Sequence, residues 1–452
     1  MSRVIFLIQA DHIFICRLSD ITYLLYHNIL RRPTLFPWEI SLILVRSVWF
    51  GLIRVTIDRW DHFKSSWGVV FLPVRIRIMF VTRPSAGGIR KHLLSLVRRL
   101  TGLCYEVILV CPRDDSELRS LERQGVRVYP MAIRGELRPH RDLQATLKIK
   151  GLIERLNPDL IHAHSYKAGL LCLAAGGLKK HPPLICTFHN PVRREANKLQ
   201  DLGKRRLLSA LGRRATHVIT VSQALRSEAN TLLGIAEEKT TCIYNGIDLS
   251  EFSAPRQAKA ICDTLGIGHY RYVVGTVCRL IPEKGLRCLI EAASILQGQL
   301  NGVCFAVVGD GPDRPFLEKL VQEKKMEKSF VFLGFRSDVP EILSCFDLFV
   351  LPSLEEALSI AILEAMAAKI PVISTAIGGI PEVVTAETGI LLPPANPQIL
   401  AASIRQLLLQ PHYRLTLGRA GRERVERFFS LNQMIERHHE LYSKILSRLG
   451  KR

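Results

Sequence analysis

From residue 75 onward, short continuous apolar runs alternate with longer stretches in which apolar residues recur at helical spacing. The runs at 75–81, 106–111, 126–129, 160–164, 184–189 and 217–221 lack polar alternation. That is the pattern of strands covered on both faces. Between them lie helical stretches such as 89–100, where Arg and Lys take the face opposite the apolar one. A second series of strand candidates lies at 272–278, 303–308, 330–333, 348–351 and 371–374. Apolar strands alternating with helices imply parallel sheets with helices on both sides. Two such series predict an α/β protein of two doubly wound domains in tandem, facing a cleft. Asn-Gly, Pro and Gly signals between the series mark a linker. The resulting plan has an N-terminal extension (1–74), an acceptor-side domain (75–250), a linker (251–268) and a donor-side domain (269–428). A basic amphipathic C-terminal helix within 429–452 is expected to pack back on the N-terminal domain.

The extension follows no such pattern. Its most apolar stretch, 38–57, is interrupted by Glu39, Arg46 and Arg54. A spanning helix wants about 20 apolar residues with few charges. Two readings stay open: a helix lying on a membrane surface, or a segment translated ahead of the true start. The first residues do not fit a cleaved signal peptide.

Charge sharpens the division. The formal net charge is +21, of which +16 falls on residues 75–245. Such a surface suits a phosphate-rich partner or simply stays solvated. Arg193, Arg194, Lys198, Lys204, Arg205, Arg206, Arg213 and Arg214 crowd one stretch with Leu199, Leu207, Leu208 and Leu211. This predicts docking to an anionic membrane, with a plain solvated basic helix as the alternative. No aromatic-interleaved basic platform points to nucleic acid. The eleven cysteines show no C-x-x-C spacing, so they are expected to stand singly, as in a reducing cytosol. No metal-ligand spacing and no Asp-x-Asp motif is seen, and no metal is expected.

Four motifs carry chemistry. Arg279 and Lys284-Gly285 follow a strand end and open a helix, where two cations and free N–H groups suit a diphosphate. Gly309-Asp-Gly311 allows close backbone approach or merely a tight turn. Glu356 and Glu364 flank seven residues. Glu364 stands in an apolar helix and so requires a partner, and diol hydroxyls would serve. Between the acids, Leu358, Ser359 and Ile360 would offer backbone N–H groups to phosphate. Gly378-Gly-Ile-Pro-Glu382 is a further Gly-rich opening after a strand. In the first domain, Gly87-Gly88 opens a helix after the first strand, and His162, His164 and His189 end two neighbouring strands.

Together Gly87-Gly88, Ile161-His-Ala-His164, Thr187-Phe-His189, Val221-Ser222, Asn245-Gly-Ile-Asp248, Arg279…Lys284-Gly, Gly309-Asp-Gly and Glu356-x7-Glu364 resemble the family 4 glycosyltransferases. The resemblance runs from about residue 75 to near the C-terminus and implies the GT-B fold, two Rossmann-like domains. It implies that Arg279 and Lys284 hold the donor diphosphate, Glu356 the transferred sugar and Glu364 the ribose. His189 would lie near the reacting centre, Gly87-Gly88 would face phosphates or acceptor, and Phe335-Arg336 would lie near the base. One departure is Ala357-Leu358-Ser359, where the family often has Gly-Phe-Gly.

The implied activity is a retaining, metal-independent transfer of a hexosyl or N-acetylhexosaminyl group from a UDP-sugar. No cofactor is implied beyond that nucleotide-sugar co-substrate. The acceptor would be a glycan or a polyprenyl-linked glycan in cell-surface polysaccharide synthesis. The enzyme would be cytoplasmic, peripheral on the inner face of the plasma membrane. The alternatives are a nucleotide-sugar epimerase of the same fold and a non-enzymatic basic membrane adaptor.

Overall fold

The structure is a computed structural model. It describes residues 4–9, 12–17 and 76–450, apart from 84–86, 104, 113–115, 134–137, 177–181, 193–197 and 253–257. The expected surface helix at 38–57, the 84–86 part of the first Gly-rich turn, and Arg193 and Arg194 lie outside the described residues.

The chain divides into two units. The smaller (1–75 with 447–452) contains strands β1 (Val4–Gln9) and β2 (His12–Arg17), paired antiparallel. The sequence pattern had given no strands there.

The larger unit, 76–446, is built on two parallel sheets. The first holds β3 (Ile76–Thr82), β4 (Tyr105–Cys111), β5 (Arg127–Pro130), β6 (Leu160–His164), β7 (Leu184–Phe188), β8 (His217–Thr220) and β9 (Thr240–Cys242), in the order 5-4-3-6-7-8-9. Its helices are α1 (Gly88–Thr101), α2 (Ser116–Arg123), α3 (Pro139–Leu156), α4 (Tyr166–Gly176), α5 (Lys198–Arg214) and α6 (Gln223–Leu233). After α7 (Ala258–Thr264), the second sheet holds β10 (Tyr272–Val277), β11 (Val303–Val308), β12 (Phe330–Gly334), β13 (Leu348–Leu351), β14 (Val372–Thr375) and β15 (Gly389–Leu392), in the order 12-11-10-13-14-15. Its helices are α8 (Leu286–Leu296), α9 (Arg314–Glu323), α10 (Val339–Leu343), α11 (Ile360–Ala367), α12 (Ile380–Val383), α13 (Pro397–Leu409) and α14 (Pro411–Phe428). The chain ends in α15 (Leu431–Arg448).

Burial explains the strand pattern. Ile78, Met79, Phe80 and Val81 are all fully buried, so both faces of β3 are covered. The last strand of each sheet, β9 and β15, escaped the sequence reading because three or four residues give too little pattern to separate strand from turn. Helix α15 buries Met434, Leu441, Tyr442 and Ile445 in one cluster with Leu93, Leu96 and Val97 of α1. Residues 245–247 and 429–431 run side by side where the chain crosses between the sheets. The Ile247 N–H donates to the Phe429 carbonyl at 3.1 Å, and the Leu431 N–H to the Ile247 carbonyl at 2.9 Å.

The expectation of solitary cysteines is corrected at one place. Cys262 of α7 and Cys345, just beyond α10, form a disulfide with Cα atoms 5.7 Å apart. Their separation of 83 residues left no local spacing to reveal it. Among the described residues no helix is long and apolar enough to cross a membrane.

Candidate active site

Each sheet reverses its winding at its first strand: β3 lies between β4 and β6, and β10 between β11 and β13. Ligands of such sheets bind beyond the carboxyl ends of the strands at that reversal. The motif residues gather there.

On the second sheet, Arg279 follows β10 closely and is exposed. Lys284 ends a single 3₁₀ turn, and Gly285 (φ 67°) caps α8. A Cβ on Gly285 would sit 1.9 Å from the Pro352 carbonyl oxygen, so the turn lies directly on the loop after β13. The Leu354 N–H donates to the Glu283 carbonyl at 2.7 Å across the same contact. This seats Lys284 against Glu356, and the two side chains form an ion pair. Gly378 (φ 49°) supports Glu356 from the other side: a Cβ there would fall 1.8 Å from the Glu356 carbonyl oxygen.

Helix α11 starts beside this pair. Ser359 caps it, its hydroxyl accepting from the Ile362 N–H at 3.4 Å. Leu358 and Ile360 are buried, and their backbones lie at the start of α11. Gly309 uses its N–H on the Gly334 carbonyl at 2.7 Å, which makes it part of a tight turn. Phe335 is 71% exposed and free to stack on a flat ligand. Arg336 is held by Asp338 through two contacts of 2.8 and 2.6 Å.

Glu364 has the partner that an acid in an apolar helix requires. It is buried, and its partner is a cation rather than a hydroxyl: Lys91 Nζ lies 2.6 Å from its Oε1. Lys91 sits on α1 of the other sheet and also reaches Glu251 at 2.9 Å. Burial holds the Glu364 carboxyl above its ordinary value even though Lys91 pulls it down. For Lys91, burial lowers the pKa, but the pull of Glu364 and Glu251 outweighs it and the net shift is upward. A buried carboxylate at a domain contact takes the nearest cation, and nothing in the local sequence named Lys91.

The first sheet supplies the opposite wall. Gly87 precedes α1 as its N-cap with φ 70°. Gly88 meets Ile360 of α11, where a Cβ would have 3.3 Å of room. Behind this contact His92, His162, His164, His189 and His438 form one buried cluster. The His164 and His189 rings stack with centroids 5.3 Å apart, and His164 Nδ1 lies 3.0 Å from His189 Nε2. His162 is bonded at both nitrogens, to Tyr442 Oη and Thr187 Oγ1, each at 2.7 Å. Burial pushes His92, His162 and His164 well below the ordinary value, and neighbouring imidazoles add to the effect. Burial, with His438 and Arg83, brings His189 to about 3. All five rings are therefore neutral near pH 7.

Sequence reasoning missed several participants. Arg83 follows β3, and its buried Nε has no hydrogen-bond partner. Burial and then the nearby Arg279 depress its pKa. An Arg at a strand end just before the Gly-rich turn was a signal that could have been read. Glu382 accepts from the Gln223 and Ala224 N–H groups at 2.8 and 2.7 Å, capping α6 of the first sheet from the second. His92, His164 and His189 also bring one nitrogen each to within 4.8 Å of one another, a grouping no spacing predicted.

Known proteins fit this architecture. The profile of Glycosyltransferase Family 4 matches residues 86–251, and that of Glycosyl transferases group 1 matches residues 260–424. The chain is 30% identical over 337 residues to a glycosyltransferase assigned to teichuronic acid biosynthesis in Bacillus subtilis (strain 168), covering 68% of this chain and 82% of that protein. It is 28% identical over 303 residues to the UDP-Gal:alpha-D-GlcNAc-diphosphoundecaprenol alpha-1,3-galactosyltransferase of Escherichia coli, covering 66% and 78%. The crystal structure of Anabaena HepE in complex with UDP-glucose matches with a TM-score of 0.71 at 25% identity, over 81% of this chain and 99% of that one. With two parallel sheets meeting at their switch points and both halves of the sequence matched, the chain belongs to the family 4, group 1 glycosyltransferases and is a glycosyltransferase of GT-B fold.

Proposed function

We propose that the enzyme transfers a hexosyl or N-acetylhexosaminyl group, with retention, from a UDP-sugar to a lipid-linked or glycan acceptor in cell-surface polysaccharide synthesis. The observation that carries this reading is the Lys284–Glu356 pair at the switch point of the second sheet, with Arg279 exposed beside it. A diphosphate that takes Lys284 and Arg279 as counter-charges leaves Glu356 to accept hydrogen bonds from sugar hydroxyls. The N-terminus of α11 adds backbone donors. Ribose hydroxyls would donate to Glu364, and the exposed Phe335 would stack on the base. These cations stabilise charge growing on the departing diphosphate, and no metal ion is required for that task.

The chemistry is a front-face exchange. The bond from the anomeric carbon to the diphosphate oxygen breaks, and the acceptor oxygen bonds to the same face. The acceptor proton passes to the departing phosphate oxygen. Trapping a covalent sugar adduct on Glu356 or another side chain would overturn this route. A thermal-shift screen of uridine, guanosine and adenosine diphosphate sugars tests the donor class, followed by transfer assays with polyprenyl-diphosphate acceptors. We expect stabilisation by a UDP-sugar; failure of every nucleotide sugar to bind would end the reading.

The acceptor side is supported by the relative that acts on a diphosphoundecaprenol-linked sugar and by the surface of the first domain. Helix α5 exposes Leu199, Leu202 and Leu207 beside the exposed Arg206, Arg213 and Arg214. Helix α3 exposes Leu143 and Leu147 beside Arg141, Lys148 and Lys150. Apolar residues flanked by cations suit peripheral docking on an anionic cytoplasmic leaflet. Sedimentation with anionic vesicles should show salt-sensitive binding, and its absence would remove the membrane from the proposal.

A further inference from the structure

We propose that His92, His164 and His189 form a binding site for a divalent transition metal of the zinc class. The three come from α1, the end of β6 and the residue after β7. Each offers one nitrogen, and these atoms lie within 4.8 Å of one another. The rings are 2%, 0% and 8% exposed, with centroids 5.0–5.6 Å apart.

The hydrogen-bond pattern singles out His92 within the cluster. His162 has both nitrogens engaged. His438 has its Nδ1 on the Met434 carbonyl at 2.7 Å and its Nε2 without a partner. By contrast, neither ring nitrogen of His92 meets a partner at hydrogen-bonding geometry, although Asn245 faces it. His164 Nε2 also lacks one, while His164 Nδ1 and His189 Nε2 bond each other. Buried polar atoms normally find partners, and an imidazole with both nitrogens orphaned in a packed cluster is an exception that calls for a ligand.

Tetrahedral zinc with Zn–N bonds of about 2.0–2.1 Å sets its nitrogen ligands a little over 3 Å apart. His164 Nδ1 and His189 Nε2 already stand at 3.0 Å, and a metal would replace the hydrogen bond between them and release its proton. Rotation of the His92 ring brings in the third nitrogen. Imidazole ligands alone favour zinc, copper, nickel or cobalt over magnesium or calcium. Arg83 acts electrostatically on His189 and opposes a bare dication, so the fourth ligand would be an anion such as hydroxide or a phosphate oxygen.

Such an ion would tie α1 to β6 and β7. Helix α1 begins at the Gly87-Gly88 turn and carries Lys91 to Glu364, so the ion would fix one wall of the cleft. Metal binding can be read whether or not the donor reading holds.

The test uses the full chain, stripped with chelator and titrated with cobalt(II) and then zinc. We expect one equivalent bound, with the visible ligand-field bands of tetrahedral cobalt. His92→Ala and His189→Asn should each weaken binding by at least the roughly 10–100-fold that loss of a supporting group costs. Circular dichroism identifies any variant that fails to fold, and the other then serves. The exposed His412→Ala controls for surface binding and should leave the stoichiometry unchanged. No stoichiometric uptake by the native chain, or uptake that neither site variant changes, would overturn the proposal.

Discussion

The two walls of the cleft handle charge in opposite ways. On the second sheet, charges are kept and paired in reach of solvent: Lys284 with Glu356, and Arg336 with Asp338. On the first sheet the floor is five imidazoles with their protons pushed off by burial, and the Arg83 guanidinium acts on His189. One wall thus holds solvent-accessible ion pairs, and the other holds buried rings packed against one another. The contrast teaches that side chains near solvent keep their charge by pairing, whereas burial takes the charge from the imidazoles.

The predictions probe that contrast in order of size. Removing the exchangeable cation should cost most. Lys284→Ala should lower kcat about 10²–10³-fold in a sugar-transfer assay, the range for loss of one group that stabilises developing negative charge. A smaller loss would mean that Arg279 and helix dipoles suffice.

Next comes the point where the walls meet. Lys91→Met leaves the buried Glu364 without its cation and should destabilise the protein by about 2–3 kcal/mol. This is below the full cost of breaking a buried pair, because Lys91 is about one-third exposed. Pairing it with Glu364→Leu should recover most of the thermal stability, and no recovery would show that the pair matters for geometry rather than charge.

Third, Gly378→Ala should strain the loop by about 1–3 kcal/mol, since its Cβ would collide with the Glu356 carbonyl and its φ is 49°. Activity should fall with Glu356 displaced, while the first domain keeps its thermal behaviour. Smallest is Glu382→Ala, which strips a helix cap that spans the two walls and should cost about 1 kcal/mol in thermal unfolding. A null result would mean that water replaces the carboxylate.

Much of this was legible in the chain. Arg279, Lys284 and Glu356 stood out because each follows a strand end, and Glu364 because an acid in an apolar helix needs a partner. The partner itself was not legible, for Lys91 is 273 residues away. The imidazole cluster was legible in part: His162, His164 and His189 marked two neighbouring strand ends as a candidate site, but nothing local showed that α15 would place Tyr442 against His162, 280 positions on. The Cys262–Cys345 bond escaped for the same reason.

The sequence by itself determined the alternation of buried strands and amphipathic helices, and the order of motifs that marks the family. Both are written in neighbouring residues, because strand and helix periodicities act over a few positions. Only the tertiary structure decided which charges pair across the cleft, which imidazoles lose their protons and which nitrogens are left without partners. Those outcomes depend on distance and on exclusion of water, and folding sets both between residues that the chain keeps far apart.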